Sequence, residues 1–462
     1  MAFLIGGANS AADTGFDVAN SCRFNDDDSP YMHKTTAAGS RQIFTFSTWF
    51  KMGAIATTKY FISAYSAASD AGYTHFSIQN TGKLHFAGNA TDFRSSNALL
   101  RDPSAWYHVV LAVDTTDGTA ADRIKLYLNG TQITSLANNN HPDQNDNFAF
   151  NQDSVAMILG SSNSGGSKGS YWDGYLAETV WIDGTQYAAS DFGEFDEDSP
   201  NIWKPKDVSG LTFGTNGFYL DYEDSSNLGN DANGGTDLTE VNLAAVDQAS
   251  DSPTNSFATL NPLEWPVNAI TFTEGNCVAS GTSGNSGRFT AGTFAPASGK
   301  WWCEIKVTVS AVYPIIGKID STSGDKADAT YFISGSNAGF AAFADDDVYH
   351  NDDSSWNEWQ TYATDDIIGL GIDMDASTPT ITFQKNGGSE ETFTTEAPKS
   401  GAYNFPALGL YYAAAIAKCN FGGCPPYTIS SAVADANGYG NFEYAPPSGY
   451  LSMCSKNIGG DS

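Results

Sequence analysis

Apolar and polar positions alternate with a period of two along most of this chain, as in strands that bury one face and expose the other. Phe44-Thr45-Phe46-Ser47-Thr48-Trp49-Phe50-Lys51 sets Phe44, Phe46, Thr48 and Phe50 on one side and Trp49 on the other. Two longer stretches follow one plan. Trp106 to Gly130 (WYHVVLAVDTTDGTAADRIKLYLNG) and Asp365 to Gly387 (DDIIGLGIDMDASTPTITFQKNG) each run an apolar strand into acidic residues, a polar connection, and an alternating strand closed by Asn-Gly. Asn-Gly supplies the positive φ values of a tight hairpin turn. In the first stretch Ile124, Leu126 and Leu128 face one way while Lys125, Tyr127 and Asn129 face the other. Further strand patterns recur every eight to twelve residues, around Cys22, Tyr60, His75, Lys83, Val155 and Gly174, as a sandwich or barrel demands. No amphipathic helix exceeds three turns.

The pattern predicts an all-β protein made of two antiparallel β-sandwiches. Residues 1–20 read as an N-terminal arm that could dock on an assembly, 21–190 as the first sandwich, and 264–462 as the second. Between them, 191–263 is acidic and rich in Gly, Asn and Asp. It carries Phe192, Trp203, Phe213, Phe218, Tyr219 and Tyr222 at intervals, which predicts packing on the first sandwich rather than a free linker.

Composition narrows the partners. The 462 residues hold 53 acidic and 22 basic side chains, a formal charge of -31. Such a field repels phosphate backbones, so nucleic acid is not an expected partner. No run of apolar residues is long enough for a membrane-spanning helix, and no membrane insertion is expected. The opening lacks the basic and apolar regions of an export signal. The six cysteines show no Cys-x-x-Cys spacing and read as buried thiols of a chain made in a reducing cytoplasm.

The succession FTFSTWFK, WYHVVLAVDTTDG, IKLYLNGTQI and DGYLAETVWIDG resembles the laminin-G-like, concanavalin A-like jelly roll over roughly residues 20–190. That fold hosts lectins, glucanases and scaffolds, so it implies no single ligand. In the second half, KWWCEIKV, the hairpin at 365–387, KCNFG and FEYAPPSGY resemble a SPRY domain, another two-sheet jelly roll, whose known members hold protein partners, although the resemblance implies no particular partner here. The opening MAFLIGGANSAADTGFDVANSCRFNDDDS and the segment DFGEFDEDSPNIWKPKDVSGLTFGTNGFYLDYEDSSNLGNDANGG resemble structural proteins of marine tailed bacteriophages.

Chemistry is harder to find. Glycosidases need two carboxylates at a set separation. Glu194-Phe195-Asp196-Glu197-Asp198 comes nearest to a glucanase Glu-x-Asp-x-x-Glu strand, but its third acid is misplaced and Gly193 and Pro200 bracket it as a loop. No Gly-x-Ser-x-Gly, His-Glu-x-x-His or Walker loop occurs, and His33, His85, His141 and His350 show no metal-binding spacing. His108 reads as a half-exposed sheet residue. The acidic triplets offer Asp26, Asp28, Asp345 and Asp347 as calcium ligands, although neither supplies the six to eight oxygens that Ca²⁺ takes. Exposed aromatic faces beside polar loops suit sugars, which singles out Trp172 with Asp173, and Tyr349, Trp356 and Trp359.

The resemblances imply a virion structural protein of tail-fibre or spike type, without enzymatic activity, adhering to a host-surface glycan or receptor. Its partners would be other virion proteins and copies of itself, with a trimer the favoured oligomer. The alternatives are a capsid or tail decoration protein and, after it, a polysaccharide-degrading enzyme.

Overall fold

The computed structural model describes residues 15–53, 57–66, 72–263, 270–281, 288–308, 314–320, 340–342, 347–350, 353–393, 404–410 and 415–459, with backbone alone at 288, 314, 320, 347, 349, 350 and 353–358. The chain divides into two compact units, between Thr254 and Asn255. It is all-β, and each unit holds two large sheets.

In the N-terminal unit one sheet runs Thr131–Gln132, Ile124–Leu128, Trp106–Asp114, Ile43–Met52, Gly174–Asp183, Ser21–Phe24, Gln248–Ala249, with Phe218–Leu220 alongside Gly174–Asp183. The other runs Leu136–Asn139, Thr91–Ser96, Leu84–Gly88, Tyr73–Ile78, Lys59–Tyr65, Ala156–Leu159, Tyr31–Thr35, Thr239–Val241. The alternation read from the sequence sets the faces. Phe44, Phe46 and Phe50 enter the core with Phe61, Phe76, Phe86, Leu111, Leu126 and Trp181, all fully or nearly fully buried. Asn129 (φ 45°) and Gly130 (φ 76°) make the expected tight turn after Ile124–Leu128. Each large side chain placed here contributes roughly 1.5–3 kcal/mol of apolar burial.

The outer face of the first sheet is not left to solvent. All six aromatic residues singled out between 192 and 222 are buried. Trp203 stacks on His108, which stacks on Trp49. Further along, Asp251 accepts from Lys51 Nζ at 2.8 Å and from Trp106 Nε1 at 3.0 Å. His108 is therefore fully buried, not half-exposed. The alternation showed which way its side chain points but not that a later segment would cover it.

The C-terminal unit pairs Ile270–Thr273, Val278–Gly281, Ile416–Asn420, Lys300–Val307, Ile367–Asp373, Thr380–Lys385 and Glu390–Phe393 in one sheet. The second holds Arg288–Ala291, Asn404–Leu410, Pro314–Asp320, Phe340–Ala342, Asp347–His350 and Asp353–Glu358. The predicted hairpin pairs Ile372 with Ile381, and Asn386 (φ 50°) and Gly387 (φ 66°) close the turn after Thr380–Lys385. All six cysteines are buried. Among the described residues no helix is long and apolar enough to cross a membrane.

Candidate functional site

The outer face of the second sheet in the N-terminal unit carries a cluster of rings, of which Tyr60, Tyr73 and His75 are partly exposed and His85 is buried. Its origin is the strand period. Phe76 and Ile78 enter the core, so Tyr73, His75 and Ser77 point outward; Leu84 and Phe86 do the same for His85. A bulge between Tyr60 and Ile62 resets the next strand so that Phe61, Ile62 and Ala64 are all buried while Tyr60 stays on the outer face. Met32 inside leaves Tyr31 and His33 outside.

Register then brings these side chains together. Ser77 lies opposite both Tyr60 and His85, and His75 lies opposite Ser63. The His75 ring centroid is 4.7 Å from Tyr73 in a stacked pair, 5.0 Å from Tyr60 and 5.4 Å from His85. His85 Nε2 meets Asp92 Oδ1 at 3.1 Å. Burial, with a smaller contribution from neighbouring His85, pushes the His75 pKa down to about 4. The imidazole is therefore neutral at physiological pH, with one donor and one acceptor. Burial also raises the Tyr73 hydroxyl well above the usual phenol range.

A short hairpin, Ser162–Ser164 with Ser167–Gly169, packs against the strands Lys59–Tyr65 and Tyr73–Ile78. It is tied to the sheet by Ser63 Oγ, which donates to Ser161 O at 2.7 Å. Gly165 (φ 60°) and Gly166 (φ 88°) make its tip. Lys168, on its second strand, donates to Asn163 Oδ1 at 2.9 Å and neighbours His33. Tyr31 stacks with Tyr171 at 6.5 Å on the same side. The result is a platform of rings, hydroxyls and imidazoles bordered by a polar hairpin. Ring faces cover apolar sugar C–H surfaces, and the surrounding donors and acceptors meet hydroxyls.

The residues singled out from sequence lie elsewhere or play other parts. Trp172 is fully buried in the sandwich core, its ring 4.4 Å from Phe61 and 5.6 Å from Phe50, so it offers no face to a sugar. Asp173 beside it is also buried. Trp359 is in the core of the C-terminal unit, 5.1 Å from Phe383. A tryptophan next to an alternating strand gains more from burying its large apolar ring than a loop position would give. Tyr349, Trp356 and Asp347 belong to the strands Asp347–His350 and Asp353–Glu358, but their side chains, like Asp345 altogether, lie outside the described residues. Asp26 is ion-paired with Lys59, and Asp28 accepts from Asn25 Nδ2 at 2.7 Å. No group of three potential ligands fit to hold a metal occurs among the described residues. Glu194 and Asp196 share Lys204, at 3.7 and 3.3 Å, and Glu194 sits in a short strand pair rather than a loop.

Sequence reading missed the platform because tyrosine and histidine fit either face of a strand. The signal was available: Tyr60, Tyr73, His75 and His85 all fall at the non-core positions of three successive strands.

Residues 26–187 match the family model of the Concanavalin A-like lectin/glucanases superfamily. No curated protein sequence matches the chain. Similar solved structures include the SPRY domain of human HERC1, 17% identical with a TM-score of 0.26, covering 33% of this chain and 89% of that one. A heptameric SAP-like pentraxin from Limulus polyphemus is 20% identical with a TM-score of 0.27, over 38% of this chain and 80% of that one. The CBM40 of a Ruminococcus gnavus IT-sialidase, bound to α2,3-sialyllactose, is 17% identical with a TM-score of 0.24, over 31% and 87%. Likeness at this level concerns the fold alone. The chain is all-β, with a concanavalin A-like segment that includes both strands and hairpin of the ring platform.

Proposed function

We infer that this chain is an adhesion protein of a phage virion, of tail-fibre or spike type, and that its N-terminal unit holds a host-surface glycan on the outer face of the second sheet. The observation that carries the binding site is the group Tyr60, Tyr73, His75 and His85, clustered around the His75 ring on a face that the 191–254 segment leaves uncovered. The virion assignment rests on the resemblance of the opening and of the acidic segment to phage structural proteins.

Binding without hydrolysis is the reading the chemistry favours. The platform offers the neutral His75 imidazole, the Tyr60 and Tyr73 rings and the Asp92 carboxylate, which suit stacking on and hydrogen bonding to sugars. The acids nearest to a glucanase pattern, Glu194 and Asp196, are instead committed to Lys204. Individual contacts to one sugar are weak, and many copies on one particle multiply them.

The test is binding of the purified full chain to host cell envelopes and to a glycan array, with calcium and with chelator. Saturable binding in both conditions, weakened about tenfold or more by Tyr60→Ala or His75→Ala with folding intact, is expected for a stacking platform. Release of reducing ends would overturn the non-enzymatic reading. A folded chain that binds neither cells nor glycans would replace adhesion by a decoration role.

A further inference from the structure

The hairpin beside the platform holds a cation that the rest of the unit does not neutralise. In the N-terminal unit Lys34, Lys51, Lys59, Lys125 and Lys204 each lie within 4.0 Å of a carboxylate oxygen. That is the ordinary outcome in a chain with 53 acidic and 22 basic residues. Lys168 differs. Among the described residues its ammonium meets no carboxylate, only Asn163 Oδ1 at 2.9 Å and Gly166 O at 3.2 Å. Asn163 is itself nearly fully buried, so the lysine head is positioned by a fixed amide rather than free in solvent. Lys168 is only half-exposed, and burial alone lowers its proton affinity, with no opposing pull from any acid. It also adds to the lowering at His33, which places the two basic groups together.

We propose that Lys168, held by Asn163 next to the ring platform, recognises the negative group of an acidic glycan, so that the site prefers anionic over neutral polysaccharides. This rests on the reading of the platform as a sugar-binding face. The rings would hold the sugar plane and Lys168 would take its carboxylate or sulfate as a point charge, a role that suits an ammonium and does not need the planar fork of an arginine. The charge of -31 does not forbid this. At physiological ionic strength fields are screened within about 8 Å, so the local cation decides. His33, beside Tyr31 at 6.0 Å, adds a further donor at the same end.

The experiment compares the full chain with Lys168→Met, which keeps the aliphatic stem, and Tyr60→Ala, which removes a ring. Probes are polygalacturonate, dextran sulfate and a neutral galactan, each measured by calorimetry at two salt concentrations. Expected is binding of one or both acidic probes, about tenfold weaker in Lys168→Met and with a shallower salt dependence, and weakened also by Tyr60→Ala. The two acidic probes distinguish a carboxylate from a sulfate. Equal binding of the neutral galactan, unchanged by Lys168→Met, would overturn the proposal and leave the platform standing. Failure of the folded chain to bind any probe would overturn both.

Discussion

The indole N–H of Trp203 donates to Nδ1 of His108 at 3.0 Å, across 95 residues of sequence. An indole can only donate, so Nδ1 must be an acceptor and the imidazole proton must sit on Nε2. Nε2 then donates to Ser47 Oγ, 2.8 Å away. One bond thereby fixes the tautomer of a buried histidine and anchors the acidic segment to the first sheet.

Protonating His108 would set two N–H groups against each other in a buried site, and burial pushes its pKa down to about 3. The group is depressed in the folded state from an ordinary 6.5, so its neutral form stabilises the fold above 6.5. That stability drains as pH falls towards 3, with a slope approaching about 1.4 kcal/mol per pH unit. Trp203→Phe keeps most of the ring and leaves Nδ1 without its donor, at a cost of about 1–3 kcal/mol. Urea unfolding at neutral pH measures the cost. Nitrogen NMR of His108 should report the Nε2–H tautomer in the wild type, and the reverse tautomer would refute the arrangement.

Asp251 provides a stronger test of how the segment is attached. Its carboxylate lies between Lys51 and Trp106, with Lys51 fully buried. Removing it by Asp251→Ala takes the paired carboxylate away from a fully buried ammonium, which costs about 3–5 kcal/mol. Replacing the pair together, Lys51→Met with Asp251→Leu, should cost far less than the sum of the single changes. A double-mutant cycle from unfolding curves decides this, and additive losses would argue that Lys51 reaches solvent.

The strands were legible because the period of two is written in residue type, and the Asn-Gly turns at 129–130 and 386–387 are almost explicit. What the period leaves open is the fate of the outer face. His108 and His75 both occupy outward positions of a strand flanked by apolar residues, yet Trp203 covers one and the other keeps partial exposure. The cover comes from a distant segment whose aromatic spacing announces packing but not the surface it packs on. Trp172 shows the converse: its Gly- and Ser-rich preceding loop suggests exposure, while the ring turns inward to Phe61. The platform depends besides on a bulge at Tyr60, which sequence alternation cannot reveal.

Glu178 sits in the left-handed region (φ 48°), within the register shift of the strand Gly174–Asp183, and accepts from Tyr219 OH at 2.7 Å. Burial, reinforced by Asp221, Glu223 and Asp207, raises its pKa to about 8 from 4.5. A raised carboxyl holds its proton more tightly when folded, so this contribution is complete below 4.5 and is lost as pH rises through about 8. Glu178→Gln mimics the neutral form and does not titrate. Its advantage over the wild type should grow between pH 6.5 and 9, above the range where His108 acts, as read from thermal midpoints. A constant difference across that range would show that Glu178 is already ionised in the fold.

In the C-terminal unit Glu304 plays a comparable part, with no cation paired to it among the described residues. Oε2 accepts from Asn420 Nδ2 at 3.2 Å, Tyr427 OH at 3.1 Å and the Glu443 N–H at 3.0 Å, while Oε1 accepts from the Tyr444 N–H at 2.8 Å. The residue is fully buried on the strand Lys300–Val307, so it fastens the 443–444 backbone to the centre of the first sheet. An amide in its place would keep one acceptor and turn an NH₂ towards groups that donate. Glu304→Gln should therefore lose about 3 kcal/mol although it is isosteric, whereas Tyr427→Phe, which removes one donor of four, should lose about 1 kcal/mol. Hydrogen exchange distinguishes this from a diffuse loss: the Glu443 and Tyr444 amides should lose protection in Glu304→Gln while the Ile372–Ile381 hairpin pair keeps it. Uniform loss of protection through the sheet would mean that the carboxylate supports the core as a whole and not the attachment of the 443–444 backbone.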